Sequence, residues 1–382
     1  MLYQLQDFKI VQFRKLRCLD LKGLGRINLL VGPNNSGKTS VLEAIACYCN
    51  PEDGYYWLET GLRRAGRGSS GSKIKALKWL FPQKSESSPP GNFEVDAITL
   101  QSSGEFPVTE CYAKFEEIKA ILPSSKASEL QEATDALGGE FGGTDDGPWW
   151  PGARLQLRIE LKHDRPLASG PTKNRQITIW DNQRLIKRRS KMDVGLPVAY
   201  ITAGQIQSDT VAAEKFSAFR KLGLYDDAIA ILRQIDPGIR EVLVLSDRGN
   251  YGQLYIQHDQ TGLTPSNAMG DGLRRALEIA MTIPVVKNGI LLIDEIESAL
   301  HVTVLTKVFE LLVRNCREYN VQLFATTHSL EALDSILSAT LQNNDPDLVL
   351  FRLESNPQKA NAIRLDEKML SNLRNELGQE VR

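Results

Sequence analysis

The apolar run Ile27-Asn28-Leu29-Leu30-Val31 opens directly onto Gly32-Pro33-Asn34-Asn35-Ser36-Gly37-Lys38-Thr39, and this junction constrains the fold more than any other feature. A polyphosphate needs several backbone N–H donors converging on it. Only a glycine-rich turn lets the main chain wrap that closely. Gly32 and Gly37 supply the turn, with Asn34, Asn35 and Ser36 between them. Lys38 has the reach to meet β- and γ-phosphates, and the Thr39 hydroxyl is a ligand for Mg2+. From Ser40 the sequence reads as a helix with Val41, Leu42, Ile45, Tyr48 and Cys49 on one face, and its N-terminal dipole points at the anion. A buried strand, this loop and an amphipathic helix in succession imply bound ATP with Mg2+, held by residues 32 and 34–40 in an α/β sheet.

Two further strand ends carry chemistry. Ile290-Leu291-Leu292-Ile293-Asp294-Glu295 is an apolar strand closing on two acids. An ordinary strand ending in solvated acids has the same pattern. Beside the phosphate loop it instead suggests Asp294 holding Mg2+ through water and Glu295 polarising the attacking water. Val321–Thr326 is another buried strand, continued by Thr327-His328-Ser329. A histidine at a strand end is commonly structural. Here one helix separates the two strands, and the right-handed crossover rule makes them parallel, which brings His328 toward the γ-phosphate. Lys38, Glu295 and His328 are thus the candidate catalytic residues, and Thr39 and Asp294 the candidate metal ligands.

Bulk properties exclude several classes. The 382 residues are 42% hydrophobic and 24% charged with a net charge of −1, so nucleic acid or an anionic membrane exerts no global pull. The apolar stretches Ala276–Val286 and Ile290–Ile293 are too short to span a bilayer, and the start of the chain lacks the pattern of a signal peptide. The cysteines are odd in number and scattered. Cys47-Tyr48-Cys49 suggests a metal knuckle or, more simply, two small apolar residues on a helix. A reducing, cytoplasmic setting is expected.

Along the rest of the chain, residues 3–13 and 16–21 alternate like an antiparallel hairpin or meander. Residues 61–72, with Arg63, Arg64 and Arg67, read as a mobile surface loop, and 138–151 as a glycine-rich break. Strands are expected at 93–100, 112–115, 155–161, 176–180, 348–353 and 362–365, and a hairpin at 242–245 with 254–258. Helices are expected at 129–137, 211–235, 302–317, 329–339 and 273–283, the last stopping before Pro284. The stretch 162–191 is basic, with Arg184, Lys187, Arg188, Arg189 and Lys191 close together and Trp149, Trp150 and Trp180 nearby. That combination suits a DNA-facing patch or, more simply, a solvated hairpin.

The three motifs, in this order, resemble the ATPase heads of the ABC class. Asp294-Glu295-Ile296-Glu297-Ser298-Ala299-Leu300-His301 is similar to that class's Asp-Glu-x-x-Ser-Ala-Leu-Asp, departing only at His301. In that class the segment crosses a dimer interface, which implies such a role for Ser298; a helix N-cap is the plainer role. The class also has a signature loop before the acidic strand, and Met269-Gly270-Asp271-Gly272 is the candidate. Gly270 stands where the class usually has serine, so backbone donors of Gly270, Asp271 and Gly272 would carry the contact to a phosphate bound by a second subunit. Gln83 and Gln101 are candidates for the class's glutamine loop.

The form Met-Gly-Asp-Gly-x-x-Arg, together with Phe13-Arg14-x-Leu16, Leu42-Glu43-Ala44-Ile45 and Thr326-Thr327-His328-Ser329, resembles the ATPase domain of OLD-family nucleases. It is also similar to stand-alone ATPase subunits of bacterial anti-phage systems. The resemblance covers 1–50 and 235–382 well and the middle poorly. It implies an α/β fold: an ABC-type P-loop NTPase head, with a mixed central sheet, an antiparallel β subdomain and a helical lobe. Within a single head over 1–382, residues 1–100 would carry the P-loop, 101–235 a variable insertion and 236–382 the remaining motifs. It further implies an ATPase that forms a homodimer or higher oligomer through its ATP sites and regulates a separate effector, a nuclease or toxin. The nuclease-type acidic domain of that family has no counterpart after His328. A DNA-binding repair ATPase of RecF type is the alternative.

Overall fold

The structure, a computed structural model, describes residues 3–64, 72–83, 96–121, 149–162, 170–181, 194–203, 213, 216–217, 219–221, 223, 225–246, 252–300, 302–342, 348–354 and 360–376. The chain begins with β1 (Asp7–Phe13), β2 (Leu16–Leu21) and β3 (Ile27–Val31), then α1 (Lys38–Cys49), α2 (Gly54–Leu62) and α3 (Lys73–Lys78). Five strands follow: β4 (Ala97–Ser103), β5 (Val108–Ile121), β6 (Trp149–Leu161), β7 (Thr172–Trp180) and β8 (Val198–Ile201). Next come α4 (Tyr225–Ile235), β9 (Ile239–Leu245), β10 (Gln253–His258), β11 (Gly262–Pro265) and α5 (Asp271–Val285). The last part holds β12 (Ile290–Ile293), α6 (Val302–Glu318), β13 (Gln322–Thr326), α7 (Leu330–Gln342), β14 (Leu348–Glu354), β15 (Asn361–Asp366) and α8 (Glu367–Ser371).

The central sheet has the order β15-β14-β3-β13-β12-β8, parallel throughout except for the antiparallel edge strand β15. Strands β3, β12 and β13 are wholly buried, as their unbroken apolar runs require. Period-two alternation divides their side chains between two cores. Leu30, Leu292 and Phe324 face α1 and the antiparallel sheet. Leu29, Leu291, Ile293, Leu323 and Ala325 face the core shared with α5, α6 and α7. The antiparallel sheet runs β2-β1-β4-β5-β6-β7, and a three-stranded sheet β11-β10-β9 packs Val242, Leu254 and Ile256 with Leu232 of α4 and Leu277 of α5. The chain is therefore α/β, with a mixed central sheet and an antiparallel β layer.

Some local expectations change. Strand β6 begins at Trp149, inside the expected glycine-rich break. Helix α5 passes through Pro284 and ends one residue later, because Pro284 is buried in the final turn and only one helical bond is lost there. Arg63 and Arg64 are not on a free loop. Arg63 lies 3.8 Å from the Tyr200 ring centre, and Arg64 is bonded to Glu43. The expected helix 129–137, Arg67 and His301 fall outside the described residues.

Candidate functional site

All three sequence motifs emerge at the carboxyl ends of adjacent parallel strands. β13 lies between β3 and β12, so the His328 segment stands between the phosphate loop and the acidic strand end. Ligands of open α/β sheets bind at this edge.

The loop after β3 is shaped by its glycines. Gly32 has φ 139° and Gly37 φ 99°. A Cβ on Gly32 would run into the Leu353 carbonyl oxygen, and one on Gly37 would sit 2.6 Å from Leu16 Cδ2. Asn35 also takes a left-handed conformation, φ 65°. Lys38 opens α1, is 6% exposed, and its Nζ donates to the Gly32 and Pro33 carbonyls at 2.8 and 3.0 Å. Burial lowers the Lys38 pKa, with Asp294, Glu295 and Glu297 pulling the other way. The Ser36 hydroxyl is buried without a partner among the described residues.

Thr326, at the end of β13, links two of the motifs. Its hydroxyl donates to Asp294 Oδ1 at 2.6 Å and accepts the Glu295 N–H at 2.8 Å. The Thr326 carbonyl accepts the Ile296 N–H at 3.0 Å. Thr39 Oγ1 donates to the same Asp294 oxygen at 3.2 Å. These bonds hold Glu295 at φ 47°, a left-handed conformation a non-glycine residue adopts only when its surroundings impose it. The Glu295 side chain is exposed. Two residues on, Glu297 Oε1 accepts the His328 N–H at 2.8 Å, while its Oε2 is buried without a partner among the described residues. Ser298 N–H donates to the Glu295 carbonyl at 2.8 Å, within the tight turn that follows β12.

Gly270 caps α5 at φ −61° and ψ 145°, with no side chain capping the helix. Gly270 and Asp271 are exposed, and Gly272 lies beside the Ala299 carbonyl of the turn after β12. The helix is fastened to the acidic strand by Arg275, which is 6% exposed. Its guanidinium donates to the Thr202 carbonyl at 2.9 Å, Glu278 at 3.2 Å and the Asp294 carbonyl at 3.3 Å. Sequence reasoning assigned no role to Thr326, Glu297 or Arg275. A hydroxyl on the last residue of one strand, level with the acid that follows the neighbouring strand, was the available signal for Thr326.

Behind α1 sits a charge cluster centred on the buried Glu43. Glu43, in the second turn of the helix, meets Arg64 Nε and Nη2, both at 2.9 Å, and Arg14 Nε at 2.8 Å. Arg64 also reaches the Ser40 hydroxyl at 3.1 Å. Gln101 instead bonds Glu110 in the antiparallel sheet, and Gln83 bonds the carbonyls of Lys78 and Phe81. Neither expected glutamine is bonded to a residue of the three motifs. Cys47 and Cys49 are free thiols in the core, pushed up by burial, Cys47 to about 12, so the plain core reading applies to that pair.

The oxygen donors suit a hard divalent cation. Thr39 Oγ1 and Asp294 Oδ1 converge, and three carboxylates act on a single ammonium at Lys38. Among the described residues no cluster of three or more His, Cys, Asp or Glu ligands occurs, so a cation at Thr39 and Asp294 would retain much of its water, as Mg2+ does. Arg184, Lys187, Arg188, Arg189 and Lys191 lie outside the described residues. Trp180 packs over Gly152 on the neighbouring strand. Among the described residues no helix is long and apolar enough to cross a membrane.

Comparison with known proteins bears on the fold. Residues 154–334 match the domain family described as "AAA domain, putative AbiEii toxin, Type IV TA system". An uncharacterised protein of Methanocaldococcus jannaschii is 44% identical over 69 residues, which span 18% of this chain and 60% of that protein. A Helicobacter pylori protein named ATP/GTP phosphatase is 21% identical over 353 residues, covering 89% of both. The crystal structure of an SMC head bound to the C-terminal winged-helix domain of ScpA aligns with TM-score 0.51 and 13% identity, over 95% of this chain and 98% of that one. The chain thus has the fold of an SMC ATPase head, and residues 154–334 match an AAA domain family.

Proposed function

We propose that this chain binds and hydrolyses Mg-ATP at a site completed by a second copy of itself, and that the dimer controls a separate effector protein. The convergence of Lys38, Thr39, Asp294, Glu295 and His328 at one sheet edge carries this reading. The loop residues Gly32, Asn34, Asn35, Ser36, Gly37 and Ser40 would wrap the phosphates, with Lys38 leaving its own loop carbonyls to meet them. Thr39 and Asp294 would hold Mg2+, which supplies charge neutralisation at the phosphates when bound. Glu295, exposed and locked by Thr326, orients or deprotonates the attacking water. His328 contacts the terminal phosphate.

The glycines support completion by a partner head. Gly32 and Gly37 are demanded by their own fold. Gly270 is not: its φ is that of any residue, and nothing lies within 4 Å of where its Cβ would be. Asp271 and the uncapped start of α5 present N–H groups outward, as a site for another head's phosphate requires. Gly272 lies beside the turn of Ser298 and Ala299, so those two segments of one head would act together across the interface.

Effector control is supported by two comparisons: a matched family whose description names a toxin of a toxin–antitoxin system, and an SMC head solved with a bound partner protein. An antiviral role with a nuclease or toxin as the effector, in the cytoplasm, is the most economical biological setting. A RecF-like grip on DNA would depend on Arg184–Lys191, and no described residue favours it. The test is Glu295→Gln in the full chain. ATP turnover is expected to fall by about 100-fold or more, with ATP retained and a dimer accumulating. A variant that still turns over ATP, or stays monomeric with ATP and Mg2+, contradicts the reading.

A further inference from the structure

Glu297 is used by none of the roles above, yet it is the side chain that joins the turn after β12 to the end of β13 at His328. Its own place is fixed on both sides. The Ile296 N–H is bonded to Thr326, and the Glu297 carbonyl accepts the Leu300 N–H at 3.0 Å. From there one carboxylate oxygen accepts the His328 N–H at 2.8 Å, a charge-assisted bond across neighbouring strands. The second oxygen is buried and unpaired among the described residues, an expense the fold does not need for a simple turn. The neighbouring residues of the segment it grips are fastened by short contacts: Thr327 N–H on the Leu30 carbonyl at 3.2 Å, Ser329 N–H on the Thr327 hydroxyl at 3.1 Å and Ala332 N–H on the Ser329 hydroxyl at 3.0 Å.

We propose that Glu297 is a positioning residue: its carboxylate fixes the His328 backbone, and with it the imidazole, against the turn that carries Glu295 and Ser298. The inference rests on the ATPase reading for its catalytic consequence but not for the bond itself. Glu297 is also among the acids that act on Lys38, so its charge belongs to the same site. Through this link, movement of the Ser298 turn on meeting a second head would be passed to His328 in the same head.

Glu297→Gln keeps a carbonyl oxygen able to accept from His328, whereas Glu297→Ala and the similarly sized Glu297→Met do not. In the full chain, Ala and Met are expected to lower kcat for ATP hydrolysis by about 10–100-fold with KM nearly unchanged, and Gln to retain most of the rate. Adding Glu297→Ala to His328→Ala should cost nothing further. Hydrogen exchange of the segment around His328 reads the bond without any need for turnover: faster exchange is expected in Ala and Met and unchanged exchange in Gln. Unaltered exchange and rate in both Ala and Met overturn the proposal, as does Gln as damaging as Ala, or additive losses with His328→Ala. A wild-type chain that binds but never hydrolyses ATP sinks the ATPase reading alone, and the exchange result still decides the bond.

Discussion

Thr326 shows how one hydroxyl can set the geometry of two acids. It holds Asp294 at 2.6 Å and the backbone of Glu295 at 2.8 Å, and the resulting left-handed Glu295 projects its carboxylate outward. Thr326→Val keeps the shape and removes both bonds, leaving the part-buried Glu295 N–H without this partner. ATP turnover is expected to fall about tenfold or more, and Thr326→Ser to restore most of it. A fully active Val variant would show that Asp294 and Glu295 are held by other contacts. This residue was only half legible beforehand. The acids at 294 and 295 stand out in sequence as the end of an apolar run, but the bond that orients them joins positions 32 residues apart and exists only once β12 and β13 pair. The same holds for Glu297, whose motif position was plain and whose partner was not.

Among the elements, legibility followed the strength of the local pattern. β3, β12 and β13 were readable because strands buried on both faces are continuous apolar runs, and α6 and α7 because their apolar stripes recur at helical spacing. β8 was missed. It has four residues, and its strand state is set by parallel pairing to β12 rather than by its own sequence. α2 was missed because two glycines disguise it. Gly61 is there to let the Ala76 carbonyl approach, where a Cβ would stand 2.8 Å away, while Asp53 caps the helix through Tyr55 N–H. That helix delivers Arg64 to Glu43, so an element hidden in sequence braces the phosphate-loop helix. Glu43→Ala would leave Arg14 largely buried without its carboxylate and Arg64 without its anchor. It is expected to destabilise the protein by about 3 kcal/mol, measured by denaturant unfolding, whereas a change below about 0.5 kcal/mol would show that the cluster is held by solvent as well as by Glu43.

For the molecule as a whole, the motifs fall into two groups that face different ways in their bonding. Lys38, Thr39, Asp294, Glu295, Thr326, Glu297 and His328 gather at one sheet edge, with Thr39, Asp294, Thr326 and Glu295 bonded in one set and Glu297 bonded to His328. Gly270 and Asp271 stand exposed at the start of a helix that Arg275 ties to the same acidic strand. The central claim is that the second group serves the first group of another copy. Mixing two inactive variants tests it most directly, using Lys38→Ala, which disables the loop, and Gly272→Glu, which blocks the exposed helix start. A symmetric dimer of the two has one intact composite site, so the mixture is predicted to recover about a quarter of the wild-type ATPase rate at equal amounts. Mixtures no more active than either variant alone, while wild type itself turns over ATP, would contradict a site shared between two heads.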